Sequence, residues 1–174
     1  MTAIAGTAFT AAQFNTYVRD NLNTTAAAVA TSAGNLIVTT GLNSVTERVP
    51  SVALVATSQT STSSSYGDLT TTGPSVTVTS GVKSLVIIGC AISNTTAGFG
   101  GRMAVDVSGA HTSAASDTNS FLAESGNISD TFQGTWMTVY NPITAGSSTW
   151  LAKYRAVGPG TASFSNRLIA IVPF

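Results

Sequence analysis

Thr149-Trp150-Leu151-Ala152-Lys153-Tyr154-Arg155-Ala156-Val157 alternates without a break. Trp150, Ala152, Tyr154 and Ala156 fall on one face, Lys153 and Arg155 on the other. A period of two marks a β-strand with one buried face, because successive side chains leave opposite sides of the pleat. Gly158-Pro159-Gly160 then makes a strong turn, and Thr161–Phe164 and Arg167–Val172 read as two closing strands. Upstream, Arg102–Val107 sets Met103, Val105 and Val107 against Arg102, Ala104 and Asp106. Thr131–Tyr140 carries Phe132, Trp136 and Tyr140 on one face. Ser84–Ser93 is apolar nearly throughout, as expected of a strand covered on both sides. Shorter strands are predicted at Leu36–Thr39, Ser44–Val49, Ser51–Thr57, Tyr66–Thr72, Ser75–Thr79 and about 119–124. The Ser/Thr run Ser58–Ser65 and the Ser/Ala-rich stretch 108–118 read as loops. The expected fold is mainly β, a jelly-roll-like antiparallel β-sandwich. Tight Asn-Gly hairpin turns are missing, which favours Greek-key or jelly-roll connections over a simple meander.

The N-terminus follows a different period. Thr10 and Gln13 match a capping box, and Phe14, Val18 and Leu22 recur at helical spacing with Tyr17 beside them. The pattern predicts an amphipathic α-helix over about 10–22, with Gly34 as a terminator. Residues 1–9 read as an arm that orders on docking. The expected organisation is therefore an arm and helix over 1–34, for attachment and trimerisation, and a β-sandwich head over 35–174.

Composition narrows the function. Only 8% of the 174 residues are charged, and 7 basic residues balance 7 acidic ones. A net charge of zero gives no electrostatic attraction to nucleic acid or an anionic membrane. So few charges also protect a monomer poorly against association. The longest apolar run, Leu85–Ile92, is far below the roughly 20 residues that span a bilayer. Cys90 lies inside that run and is expected to be buried.

Catalytic chemistry finds little to work with. His111 is the one histidine, in a loop of small residues, and is expected at the surface. Paired-Cys and H-E-x-x-H metal motifs and the G-x-S-x-G elbow do not occur. Asp20, Glu47, Asp68, Asp106, Asp117, Glu124 and Asp130 form no recognisable glycosidase pair. Gly98-Phe99-Gly100-Gly101-Arg102 lacks the following Lys-Ser/Thr of a phosphate loop and reads as a turn. Trp136, Trp150, Tyr140 and Tyr154 alternate within strands, which favours core packing over sugar stacking. The chain is expected to be non-enzymatic and to bind no cofactor or metal. In the last strand both faces are apolar: Leu168, Ala170 and Val172 on one, Ile169 and Ile171 on the other. The second face is expected to be covered by a neighbouring subunit. The expected attachment and oligomer interface is Phe14, Tyr17, Val18, Leu22, Ile169 and Ile171.

Two segments resemble a known group. Phe9-Thr10-Ala11-Ala12-Gln13-Phe14-Asn15-Thr16-Tyr17-Val18-Arg19-Asp20-Asn21-Leu22 resembles the N-terminal helix of small virion surface proteins from phages infecting actinobacteria, of the minor tail, tail-fibre, head-fibre or capsid decoration type. The stretch from Ile143 through Trp150–Ala156 to Ala162–Leu168 resembles the end of their β-sandwich heads. Together they cover about a quarter of the chain. The resemblance implies a homotrimer attached to phage capsid or tail proteins through its N-terminus, located in the virion and assembled in the bacterial host cytoplasm. A second reading is a receptor-binding adhesin that recognises a host cell-wall glycan with the same fold.

Overall fold

The computed structural model describes residue 8, residues 10–23 and residues 25–174. Most of the expected arm over 1–9 lies outside the described residues. The chain divides into two compact units, Met1–Arg48 and Val49–Phe174.

In the first unit Thr10 caps the helix as its sequence predicts. Its hydroxyl accepts from the Gln13 amide at 3.2 Å, and the Gln13 carboxamide oxygen accepts from the Thr10 amide at 3.0 Å. Helical conformation runs from Ala11 to Asn23, in line with the expected 10–22. It is α-helical at α1 (Ala11–Phe14) and α2 (Asp20–Asn23) and widens to a π-helical turn over Asn15–Arg19. A further turn, α3, covers Ala26–Val29. Strands β1 (Leu36–Gly41) and β2 (Ser44–Arg48) form a two-stranded antiparallel sheet of their own. The expected boundary after residue 34 therefore moves to Arg48. Both hairpin strands satisfy their ladder on each other, and neither joins the sheets of the second unit. Glu47 ties the turn before β1 to β2. Its carboxylate accepts from the Thr31 amide and hydroxyl, the Ser32 amide and the Asn35 side chain.

The second unit is a sandwich of two antiparallel sheets. Its strands are β3 (Ser51–Val55), β4 (Gln59–Ser61), β5 (Ser75–Ser80), β6 (Ser84–Asn94), β7 (Gly100–Gly109), β8 (Ser120–Glu124), β9 (Phe132–Tyr140), β10 (Gly146–Val157) and β11 (Ala162–Pro173). One sheet runs β3-β11-β6-β9, with β4 continuing the β3 position along β11, and the other runs β5-β10-β7-β8. With β3 and β4 taken as one interrupted strand, the first strand pairs the last, the second the seventh, the third the sixth, and the fourth the fifth. That is a long hairpin rolled over on itself, the jelly-roll arrangement of two Greek keys.

Between the sheets lie Val86, Ile88, Cys90 and Ile92 from β6 and Met103, Val105 and Val107 from β7. Trp150, Ala152, Tyr154 and Ala156 of β10 and Phe164, Ile169 and Ile171 of β11 complete this core. The inward faces of β7 and β10 are those that their alternation predicts. Gly100 and Gly101 lie within β7 rather than in the expected turn. A Cβ on Gly100 would come 1.7 Å from the Ala123 carbonyl oxygen, so β8 approaches too closely for any side chain there.

Four more expectations change. Tyr66–Thr72 is not a strand and contributes only a bridge from Gly67 to Tyr154, while the Ser58–Ser65 loop contains β4. The two closing strands are one. β11 is continuous, with a register shift between Ser165 and Leu168 and with Asn166 at φ 50. Such a bulge adds a residue and inverts the alternation, so Ala162 and Phe164 point inward before it and Arg167, Ile169 and Ile171 after it. Finally, His111 is half-buried instead of solvated. Its ring sits 6.3 Å from Tyr140 and 6.5 Å from Trp150, and its backbone amide donates to Ser148 Oγ.

Candidate interaction surface

The outward faces of the two sheets differ in chemistry. On the β5-β10-β7-β8 sheet the outer face is polar. Thr77 and Thr149 hydroxyls meet at 2.8 Å, and Lys153 pairs with Asp68 at 2.8 Å. Asp117, on the short 3-10 turn before β8, takes two hydrogen bonds from Arg155, at 2.7 and 3.1 Å, and one from the Tyr66 hydroxyl. Arg155 is the main reason the Asp117 carboxyl is held below the usual carboxylate range. Desolvation pushes the Tyr66 hydroxyl up.

The outer face of the β3-β11-β6-β9 sheet carries no charged side chain on its strands. Strand register sets the side chains in rows. Val52, Ala170, Ile87 and Met137 make one row, and Val172, Leu85 and Val139 another. Val52, Leu54, Met137 and Val139 are each more than half exposed, at 67%, 62%, 63% and 52%. Between Leu54, Leu168 and Thr135 the face dips into a hollow of about 240 Å³ over Gly89. Gly89 has no side chain to fill the hollow, and β9 runs too close for one: a Cβ on Gly89 would lie 2.7 Å from the Gly134 carbonyl oxygen.

The structure corrects one pair of expected interface residues. Ile169 and Ile171 are fully enclosed in the sandwich's own core. The bulge at Asn166 turns them inward, and Leu168, Ala170 and Val172 take the outer face. Val52, Leu54, Met137 and Val139 were not read from the sequence as surface residues. Their one signal is apolar side chains on both faces of β3 and β9. In the N-terminal unit Phe14, Tyr17 and Leu22 are about half exposed and Val18 is half-buried, so that helix leaves its apolar side open within its own unit. No group of three or more His, Cys, Asp or Glu among the described residues could hold a metal ion. No described helix is long and apolar enough to cross a membrane.

No protein-family model matches the chain, and no curated protein matches it. Among solved structures it is similar to one described as "Structure of infectious bursal disease virus Gx strain", at 15% identity and a TM-score of 0.39. The match covers 75% of this chain and 34% of that one, so the chain spans about a third of that protein's length. A likeness this low does not bear on what the chain does.

Proposed function

We propose that the chain is a structural protein of a bacteriophage virion, a homotrimeric appendage of the capsid decoration, head-fibre, minor tail or tail-fibre kind. Its N-terminal unit attaches to capsid or tail proteins through Phe14, Tyr17, Val18 and Leu22, and the jelly roll is the exposed head. The observation that carries this reading is the uncharged apolar outer face of the β3-β11-β6-β9 sheet, opposite a sheet whose outer face is charged. Four strands at about 4.8 Å spacing and five residues at about 3.4 Å rise give a face on the order of 300 Å². The largest apolar patch of a typical monomer is about 300–600 Å² and is often functional, so what singles this face out is the absence of charge across four adjacent strands rather than its area. The occupants are the other two copies of the chain, with this face turned toward the threefold axis. Near a symmetry axis identical side chains approach one another, and a face with no charge brings no like charges together. The patch is smaller than the roughly 800 Å² each partner buries in a standard interface, so it forms the centre of the contact and polar strand edges complete it.

The reading assigns no catalysis. His111 packs against Tyr140 and Trp150, and Asp117 is held in ion pairs. The resemblance of residues 9–22 to phage virion proteins supports the assignment to a particle. Native mass spectrometry of the full chain at micromolar concentration tests it. A trimer is expected, and Leu54→Asp with Met137→Asp should give a monomer with unchanged circular dichroism. Phe14→Ser with Leu22→Ser should reduce attachment to particles. A wild-type monomer, in solution and on the particle, refutes the reading.

A further inference from the structure

A groove of about 270 Å³ runs between β9 and the segment 113–119. Its walls include Ser113, Thr118, Asn119, Trp136, Thr138 and Tyr140, and no charged side chain lines it. Trp136 is half-buried. It packs on the core cluster and lines the groove as well. Tyr140 is anchored from behind, edge-on to Trp150 at 5.1 Å. Its hydroxyl is enclosed beside Asn119 and Ser113 without a hydrogen bond of normal geometry. That hydroxyl is closed to solvent, so the hydroxyl groups a ligand can meet belong to other lining residues, among them Ser113, Thr118 and Thr138.

The opposite wall is rigid. Ser116 and Asn119 form a reciprocal cap around the 3-10 turn, and the Asn119 amide donates to the carbonyls of Val105 and Ala114. Ser113 is bridged to Val107 by two backbone hydrogen bonds at 2.8 and 3.0 Å, and the Ala115 amide donates to Asp106. A wall held this way loses little conformational freedom when a ligand docks. β9 is also the edge strand of its sheet, so part of its backbone hydrogen-bonding capacity faces outward along the groove.

We infer that this groove is a binding site for a neutral saccharide, with one sugar ring against Trp136 and its hydroxyls on Thr138, Ser113 and Thr118. The chemistry selects that class. An aromatic side chain beside hydroxyl groups matches the apolar face and polar rim of a pyranose. The lack of charge disfavours anionic or cationic ligands, which would lose hydration without a partner. The volume falls just below the roughly 300–1,000 Å³ of small-molecule pockets, which suits the end of a glycan chain. The groove is built within one chain, so the inference stands apart from the trimer.

Tryptophan emission reads the test directly, because Trp150 is fully buried outside the groove and Trp136 lines it. The full chain is titrated with galactose, glucose, mannose and N-acetylglucosamine at millimolar concentration and is screened on an array of neutral and acidic glycans. At least one neutral sugar is expected to shift the emission saturably and to appear at a chain end among the array hits. Trp136→Ala should abolish array binding. Thr138→Val keeps the shape of the side chain and should weaken binding at least about fivefold, and it decides the matter if Trp136→Ala fails to fold. No saturable change together with an empty array overturns the inference. So do binding of acidic glycans only, or binding unchanged in Thr138→Val. The Leu54→Asp, Met137→Asp monomer should bind the same sugar, so loss of the trimer and loss of the site are separate outcomes.

Discussion

Arg167 is fully buried in a chain with few charges, and its replacement by Met tests how a jelly-roll core holds a cation. Nη1 donates to the carbonyls of Thr71 and Gly73 at 3.1 and 3.2 Å, and Nη2 donates to Thr57 at 3.3 Å. The guanidinium lies 5.3 Å from the Tyr154 ring centre, and no carboxylate among the described residues forms an ion pair with it. Each hydrogen bond to a charged group contributes about 1.5–3 kcal/mol, and the long distances argue for the lower end. Desolvation of the cation offsets part of this by several kcal/mol, although guanidinium is weakly hydrated. Gly73 also accepts from the Tyr154 hydroxyl at 2.9 Å, so the loss of Arg167 orphans only the Thr57 and Thr71 carbonyls. The expected net cost of Arg167→Met is about 2 kcal/mol, or roughly 6 °C in Tm at about 3 °C per kcal/mol. Arg167→Lys should also be destabilised, since one ammonium does not reproduce the fork that spans Thr57 and Gly73. Thermal and urea unfolding of both variants provide the measurement. A Met variant as stable as wild type would show that desolvation cancels the carbonyl contacts, and the reasoning would fail.

Four other outcomes follow from named contacts. Glu47 is lowered to about 2, chiefly by the Thr31 hydroxyl. Its anchoring of the turn before β1 should be complete above about pH 4.5 and be lost as pH falls through about 2; NMR shifts of the Thr31 and Ser32 amides report this, and a midpoint near 4.5 contradicts it. Burial pushes Cys90 up to about 12, so native protein at pH 8 should resist a thiol reagent that reacts fully in denaturant. Gly101→Val should lower stability by about 1–3 kcal/mol, because a Cβ there would come 2.6 Å from the buried Phe164 ring, whereas Gly126→Ala, with open space around it, should leave Tm unchanged. His111→Ala should cost about 1–2 kcal/mol, more than a surface substitution, because the ring covers Tyr140 and Trp150; a change below about 0.5 kcal/mol would return it to the surface.

Period two in Thr149–Val157 and Arg102–Val107 determined that this chain is a β-sandwich and which side chains of those strands enter the core. Each has one face free of charge and one that carries charged side chains, Lys153 and Arg155 in the first and Arg102 and Asp106 in the second, so hydrophobic burial leaves a single choice. The Thr10–Gln13 capping box was equally legible, because it is made by residues three apart and needs no partner from elsewhere. Tertiary structure decided the rest. β11 is apolar on both faces, and there periodicity reveals the alternation but not which side faces inward. The extra residue at Asn166 inverts the alternation within the strand, so Ile169 and Ile171 go to the core and Leu168, Ala170 and Val172 to the surface. Whether β1 and β2 join the sandwich depends on partners far along the chain, and so does the burial of Arg167, which rests on carbonyls about a hundred residues away. The groove at Trp136 likewise exists only because the segment 113–119 folds back beside β9. Local sequence carries the period of a strand; pairing over long range sets the phase of that period and the surface it leaves exposed.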